Sequence, residues 1–384
     1  MKQYLAKTFK GLEEVLAKEL IQLGANHVQI QRRAVSFEGD KMLLYKANLH
    51  LRTASRILMP IAQFKAANPD EVYEQIKKIN WDKFLDTTTS FAVDSVVFSD
   101  KFTHSKFVSY RVKDAIVDQF KEKYDKRPSV SVSNPDVMLN IHIAQNDCTL
   151  SLDSSGESLH KRGYRTAQTQ APINEALAAG MLLLAGWSGK SNFIDPMCGS
   201  GTFLIEAALI ALNIPPGIFR KSFGFEKWKD FDKNLFDEVY NNDDNERSFD
   251  FKIYGFDISA RAVSIAQENI KNAGLNKYIE IHTADIKNLD IPEGKCLMLT
   301  NPPYGERLDM KNATELYENI GRMLKFKFAG NSAWIISSDE NLLNRIGLKP
   351  SKKIKLLNGD LDCLFCKYEI FAGKRSDFVK SIKQ

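Results

Sequence analysis

Residues 193–208 read FIDPMCGSGTFLIEAA, and the order of residue types in this stretch decides the fold. Phe193 and Ile194 make a short apolar run that ends at Asp195, Pro196 to Gly201 holds two glycines, and Thr202 to Ala208 is an apolar segment of helical character. Strand, glycine turn and helix in that order form the ligand-binding edge of an open α/β sheet, where backbone N–H groups and a helix N-terminus face the ligand. Gly199 and Gly201 keep side chains out of that approach. A lone GxG also serves as an ordinary tight turn, so the reading needs a second signal.

Residues 301–304 supply it, reading NPPY directly after the apolar run Cys296 to Leu299. Neither proline offers an N–H and both fix φ, so the strand stops and presents a rigid corner. Asn301 Oδ1 and the Pro302 carbonyl can accept the two N–H bonds of a planar amine while Tyr304 stacks on the ring that carries it. Together DPMCGSGT (195–202) and NPPYGERL (301–308) resemble the class I S-adenosylmethionine-dependent methyltransferases that modify exocyclic amino nitrogens.

The intervening sequence fits that expectation. Phe251 to Phe256 reads as the next parallel strand, and an acid at its end, Asp257, can accept both ribose hydroxyls of a nucleoside-bearing cofactor. The resemblance further implies that Asp285 meets the adenine amino group and that Ile258 and Ile286 sandwich the ring. Either acid alone can instead cap a helix or a turn. S-adenosylmethionine is therefore the expected cofactor, with Asp195, Met197, Cys198, Gly199, Ser200, Gly201, Asp257, Ile258, Asp285, Ile286 and Asn301 around it. Asn301, Pro302, Pro303 and Tyr304 are the expected catalytic group, and Pro172, Asn174 and Glu175 are subsidiary candidates over the cofactor. No metal is expected.

Methyl transfer requires an in-line approach more than covalent help, and no general base stands out. Cys198 suggests a covalent attack on a pyrimidine, but it lies in the cofactor turn while NPPY has no thiol, so it reads as a small residue. Cys363 and Cys366 form a lone CxxC inside an apolar strand pattern and read as packing residues.

Outside this domain, 1–65 reads βαββαβ, a ferredoxin-like pattern. Over 66–155, the spacing predicts an amphipathic helix from Ser105 to Tyr124 with Val108, Val112, Ala115, Ile116 and Phe120 on one face, and a hairpin follows between Val137 and Leu152. With the segment KFTHSKFVSYRVKDAIVDQF, this part resembles the THUMP domain, an RNA-binding module. Lys101, Lys106, Arg111 and Lys113 are the expected phosphate contacts, unless they form only a solvated helix face. Residues 156–171 read as a linker whose Arg162 and Arg165, beside Tyr164, either meet RNA or dock the domains. Residues 172–384 complete the expected organisation. Within them, Asn213 to Ser248 is an insertion whose aromatics Phe219, Phe223, Phe225 and Trp228 either wall a base pocket or pack as a loop.

The expected fold class is α/β. It comprises a C-terminal Rossmann-like methyltransferase domain, with a mostly parallel seven-stranded sheet ending in an antiparallel hairpin, and N-terminal α+β ferredoxin-like and THUMP domains. The whole chain resembles the bacterial large-subunit ribosomal RNA guanine-N2 methyltransferases; many carry a second methyltransferase domain, and the single one here implies the N2 activity alone. THUMP-type tRNA guanine-N2 methyltransferases share the constellation. The resemblance implies 23S rRNA or a large-subunit assembly intermediate as partner, with no obligate protein partner.

The bulk properties agree. The 384 residues are 43% hydrophobic and 26% charged, with net charge +5, so RNA affinity must come from local patches. The N-terminal twenty residues carry too many charges for a signal peptide, and no run is long enough for a membrane span. Five cysteines and no secretory segment predict a reducing cytoplasm.

Overall fold

Alternating burial makes a strand of β1 (Lys2–Lys7), whose Tyr4 and Ala6 face the core. After it come α1 (Glu13–Gln22), β2 (Asn26–Gln31), β3 (Ala34–Gly39), α2 (Lys41–His50) and β4 (Arg56–Lys65), the expected βαββαβ order. The chain continues through α3 (Pro69–Lys77), β5 (Ser90–Phe98), α4 (Ser105–Tyr124), β6 (Ser129–Val130), β7 (Val137–Ala144) and β8 (Asp147–Asp153). These strands join in one eight-stranded sheet of order β2-β3-β1-β4-β8-β7-β5-β6. The α4 face carrying Val108, Val112, Ala115, Ile116 and Phe120 is buried, as its spacing requires.

This computed structural model describes residues 1–102, 104–167, 172–303 and 310–371. Two compact units emerge. The first contains Met1–Thr8, Leu16–Leu159 and Arg220–Asn242, and the second contains Phe9–Val15, His160–Phe219 and Asp243–Gln384.

The second unit holds α5 (Glu175–Leu184), β9 (Asn192–Asp195) and α6 (Thr202–Ala211). Helix α5 starts at Glu175 because the Asn174 side chain accepts from the N–H groups of Ala176 and Leu177. The chain then gives α7 (Lys233–Tyr240) to the first unit, where the insertion's aromatics pack. Phe225 stacks on Tyr45 with centroids 4.5 Å apart, and Phe223 stacks on Phe225 at 5.3 Å. Phe223, Phe225 and Trp228 are thus core residues of the first unit and wall no base pocket, while Phe219 meets Tyr164 edge-on in the second.

The remaining elements are β10 (Ile253–Asp257), α8 (Ala260–Asn272), β11 (Ile279–Thr283), β12 (Cys296–Thr300), α9 (Met310–Lys327), β13 (Ser332–Ser337), α10 (Glu340–Arg345), β14 (Lys352–Asn358) and β15 (Leu361–Glu369). Their sheet runs β11-β10-β9-β12-β13-β15-β14, parallel through β13 and antiparallel at β15 and β14. This is the seven-stranded sheet and terminal hairpin that the sequence predicts. Cys363 and Cys366 are buried in β15 as free thiols. No described helix is long and apolar enough to cross a membrane.

Candidate active site

Strand order places the site. Chain order runs outward from β9 to β10 and β11, then crosses back to β12 on the other side of β9, so the sheet reverses between β9 and β12. Ligands bind beyond the carboxyl ends of strands at such a point. Asp195 ends β9, Asn301 follows β12, and Asp257 ends β10.

Asp195 is 1% exposed. Its Oδ1 accepts from Thr300 Oγ1 at 2.7 Å and from the Met197 N–H at 3.1 Å. Burial raises its carboxyl to about 7, with nearby Asp257 adding to the shift, although both hydrogen bonds favour the ionised form. Thr300 thereby ties the strand end before NPPY to the start of the glycine turn. Thr300 was not among the expected site residues, although its position immediately before Asn301 signals it.

Backbone bonds shape the turn. Cys198 N–H donates to the Phe256 carbonyl, Gly199 N–H to Asp257 Oδ2 at 2.9 Å, and Gly201 N–H to the Cys198 carbonyl. Gly199 and Gly201 have φ of +53° and +81°, and a Cβ at Gly201 would stand 3.1 Å from Ala266 Cβ. Gly201 supplies no side chain to cap α6, which leaves its first N–H groups available to a ligand. Burial holds the Cys198 thiol well above its ordinary pKa, which fits a packing residue and not a nucleophile. Met197 is half-buried and Ser200 is buried.

Asp257 holds the turn with one oxygen and the Ser259 N–H with the other, and each oxygen keeps a further lone pair for a hydroxyl. Ile258 is 71% exposed beside it, whereas Ile286 is packed in the core. Only Ile258 of this pair offers an open apolar face. Asp285 is half-buried and accepts from the Lys287 N–H, as a turn cap does.

At the corner, Asn301 and Pro303 are half-buried and Pro302 is buried. Asn301 Oδ1 is buried and has no hydrogen-bond partner among the described residues. An unsatisfied amide oxygen in that position is costly unless a ligand supplies a donor. Tyr304 lies outside the described residues. An open glycine turn, an uncapped helix and two strand-end acids together fit a nucleoside-bearing cofactor such as S-adenosylmethionine.

Two expected RNA contacts need correction. Arg162 is 2% exposed and ion-paired to the fully buried Glu206, which also accepts from Tyr164 Oη. Arg165 donates to Thr202 Oγ1 at 2.7 Å and to the Ile173 carbonyl, and it pairs with Glu175. Both guanidiniums are spent inside the second unit, so neither presents charge to RNA. Of the subsidiary candidates, Asn174 caps α5 and Glu175 is buried, with its carboxyl raised by that burial.

In the first unit, Lys101 and Lys106 are exposed. Lys113 is half-buried beside Asp114. Arg111 is committed to Asp70 at 2.8 Å and lies over the Tyr73 ring. Phe98, Phe107 and Tyr110 of the same unit are each at least half exposed, which the basic pattern alone did not bring out. The signal for the last two was their three-residue spacing on the polar side of α4.

Comparison with known proteins gives three matches along the chain. The family described as RMKL-like, methyltransferase domain matches residues 162–367, the THUMP domain matches 66–153, and the RlmL ferredoxin-like domain matches 3–58. A putative RNA methyltransferase of Synechocystis sp. is 39% identical over 96% of this chain and 97% of its own length. A ribosomal RNA large subunit methyltransferase K/L of Syntrophotalea carbinolica is 38% identical over 96% of this chain; the chain spans 53% of that longer relative. The crystal structure of a putative methyltransferase complexed with S-adenosylhomocysteine superposes with TM-score 0.87 at 32% identity, covering 97% of this chain and 99% of the other. A glycine turn at the sheet's reversal, an amide corner beside it and these matches over nearly the whole length converge, and the chain belongs to the RMKL-like family of class I, S-adenosylmethionine-dependent methyltransferases.

Proposed function

We propose that the protein methylates the exocyclic N2 of a guanine in large-subunit ribosomal RNA, with the Asn301 corner holding the amino group. The observation that carries this reading is the buried Asn301 Oδ1 directly after β12, without a hydrogen-bond partner among the described residues. An amine donates two N–H bonds, and Asn301 Oδ1 with the Pro302 carbonyl offers acceptors for both. Accepting both protons favours a more pyramidal nitrogen whose lone pair is free to attack. S-adenosylmethionine supplies the electrophilic methyl group. The glycine turn, Asp257 and Asp285 orient the donor, and the amine proton leaves after transfer without a dedicated base.

RNA as the substrate is supported by the THUMP match and by the names of the relatives, and ribosomal RNA by the K/L relative. Lys101 and Lys106 can neutralise phosphates, and Phe98, Phe107 and Tyr110 can stack on unpaired bases. The target base must be unpaired or flipped to reach the corner.

Asn301→Ala tests the reading. Turnover should fall by roughly a hundredfold or more, as for loss of a group acting mainly in the transition state, while the dissociation constant for S-adenosylhomocysteine stays within about twofold. Equal loss of cofactor binding, or undiminished turnover, contradicts the assignment.

A further inference from the structure

Asn269 lies in α8, outside both motifs in sequence, and it is fully buried. Its Nδ2 donates to the Ser200 carbonyl and to the Ala167 carbonyl, each at 3.1 Å, and its Oδ1 accepts from the Thr166 N–H at 3.2 Å. The reverse orientation of the amide would set an oxygen against two carbonyls, so the partners fix which end is which. One side chain thus joins the cofactor turn to the segment leading out of the Arg162–Arg165 cluster.

The consequence lies in the peptide planes. The Cys198–Gly199 peptide is held at both atoms, its carbonyl by the Gly201 N–H and its N–H by Asp257. The Ser200–Gly201 peptide is likewise held, its N–H by the Cys198 carbonyl and its carbonyl by Asn269. Between them the Gly199–Ser200 peptide is oriented by its neighbours. Without Asn269 the second plane loses one of its two anchors, next to two glycines that impose little restraint of their own.

The segment it grips is anchored from both sides. Thr166 Oγ1 bonds Glu268 and Asn272 of α8, each at 3.0 Å, while Arg165 holds Thr202, the first residue of α6. Residues 162–167 therefore form a strap between the two helices that flank the turn, which explains why its arginines face inward.

We propose that Asn269 is a positioning residue for the cofactor turn, fixing the Ser200 carbonyl and coupling the turn to the Thr166–Ala167 strap. This rests on placement of S-adenosylmethionine at that turn. Asn269→Asp retains the acceptor toward Thr166 and the side-chain volume but loses both donors when ionised and one of the two when protonated. It should raise the dissociation constant of S-adenosylhomocysteine, measured by calorimetry on the full chain, by about tenfold or more. The Michaelis constant for the methyl donor should rise in parallel, with kcat at saturation within about threefold. Ile270→Val, at the next, buried residue of α8, controls for general loosening of the helix and should leave binding within about twofold.

A lowered melting temperature with unchanged affinity in Asn269→Asp would mean a merely structural amide and overturn the proposal. An equal loss of affinity in Ile270→Val would also overturn it. Absence of binding by the wild-type protein would instead remove the cofactor from this turn and the inference with it, which separates failure of the placement from failure of the residue's role.

Discussion

Asp195 shows how the site's chemistry reaches into stability. Burial, with a contribution from Asp257, lifts its carboxyl from the usual carboxylate range to about 7 in the folded protein, while the unfolded chain keeps an ordinary aspartate. Between about pH 4 and 7 the folded state therefore holds a proton that the unfolded state has lost, and stability falls as pH rises through that window. Asp195→Asn cannot ionise and escapes the loss. The difference in melting temperature between Asp195→Asn and wild type should move in the variant's favour from pH 5 to pH 8, and parallel curves would show that the carboxyl is not shifted upward. The strand-end positions of Asp195, Asp257 and Asn301 were legible because each stands within a recognisable local pattern. Arg162 and Arg165 were not, because a cation beside an aromatic reads the same whether it faces solvent or a buried Glu206 elsewhere in the chain.

At the scale of elements, α4 separates two kinds of basic residue that the sequence presents alike. Lys106 is exposed, whereas Arg111 pairs with Asp70 and lies over Tyr73. Lys106→Glu should reduce the slope of log affinity against log salt for RNA by roughly one while leaving the melting temperature unchanged. Arg111→Ala should chiefly cost stability, about 1 kcal/mol from a partly exposed pair and a ring contact. Salt titrations and thermal melts of both variants decide it; an unchanged slope for Lys106→Glu would leave that lysine as a solvated charge. The apolar periodicity of α4 was readable because its burial is set within the helix. The location of Arg220–Asn242 was not, since Phe223, Phe225 and Phe236 gather around Tyr45, a partner far away in sequence within the first unit.

For the whole molecule, the two motifs fixed more than their length because a parallel sheet with right-handed crossovers admits few strand orders, and one reversal point then gathers Asp195, Asp257 and Asn301. Substrate identity has no such lever. An amine-holding corner serves guanine and adenine alike, and a basic face reports phosphate without reporting which RNA carries it. The decisive measurement is to incubate the protein and labelled S-adenosylmethionine in parallel with unmodified large-subunit rRNA, bulk tRNA and DNA, then to digest each and identify the labelled nucleoside. The account predicts N2-methylguanosine from the rRNA alone; label confined to tRNA, or appearing in DNA adenine, would contradict it.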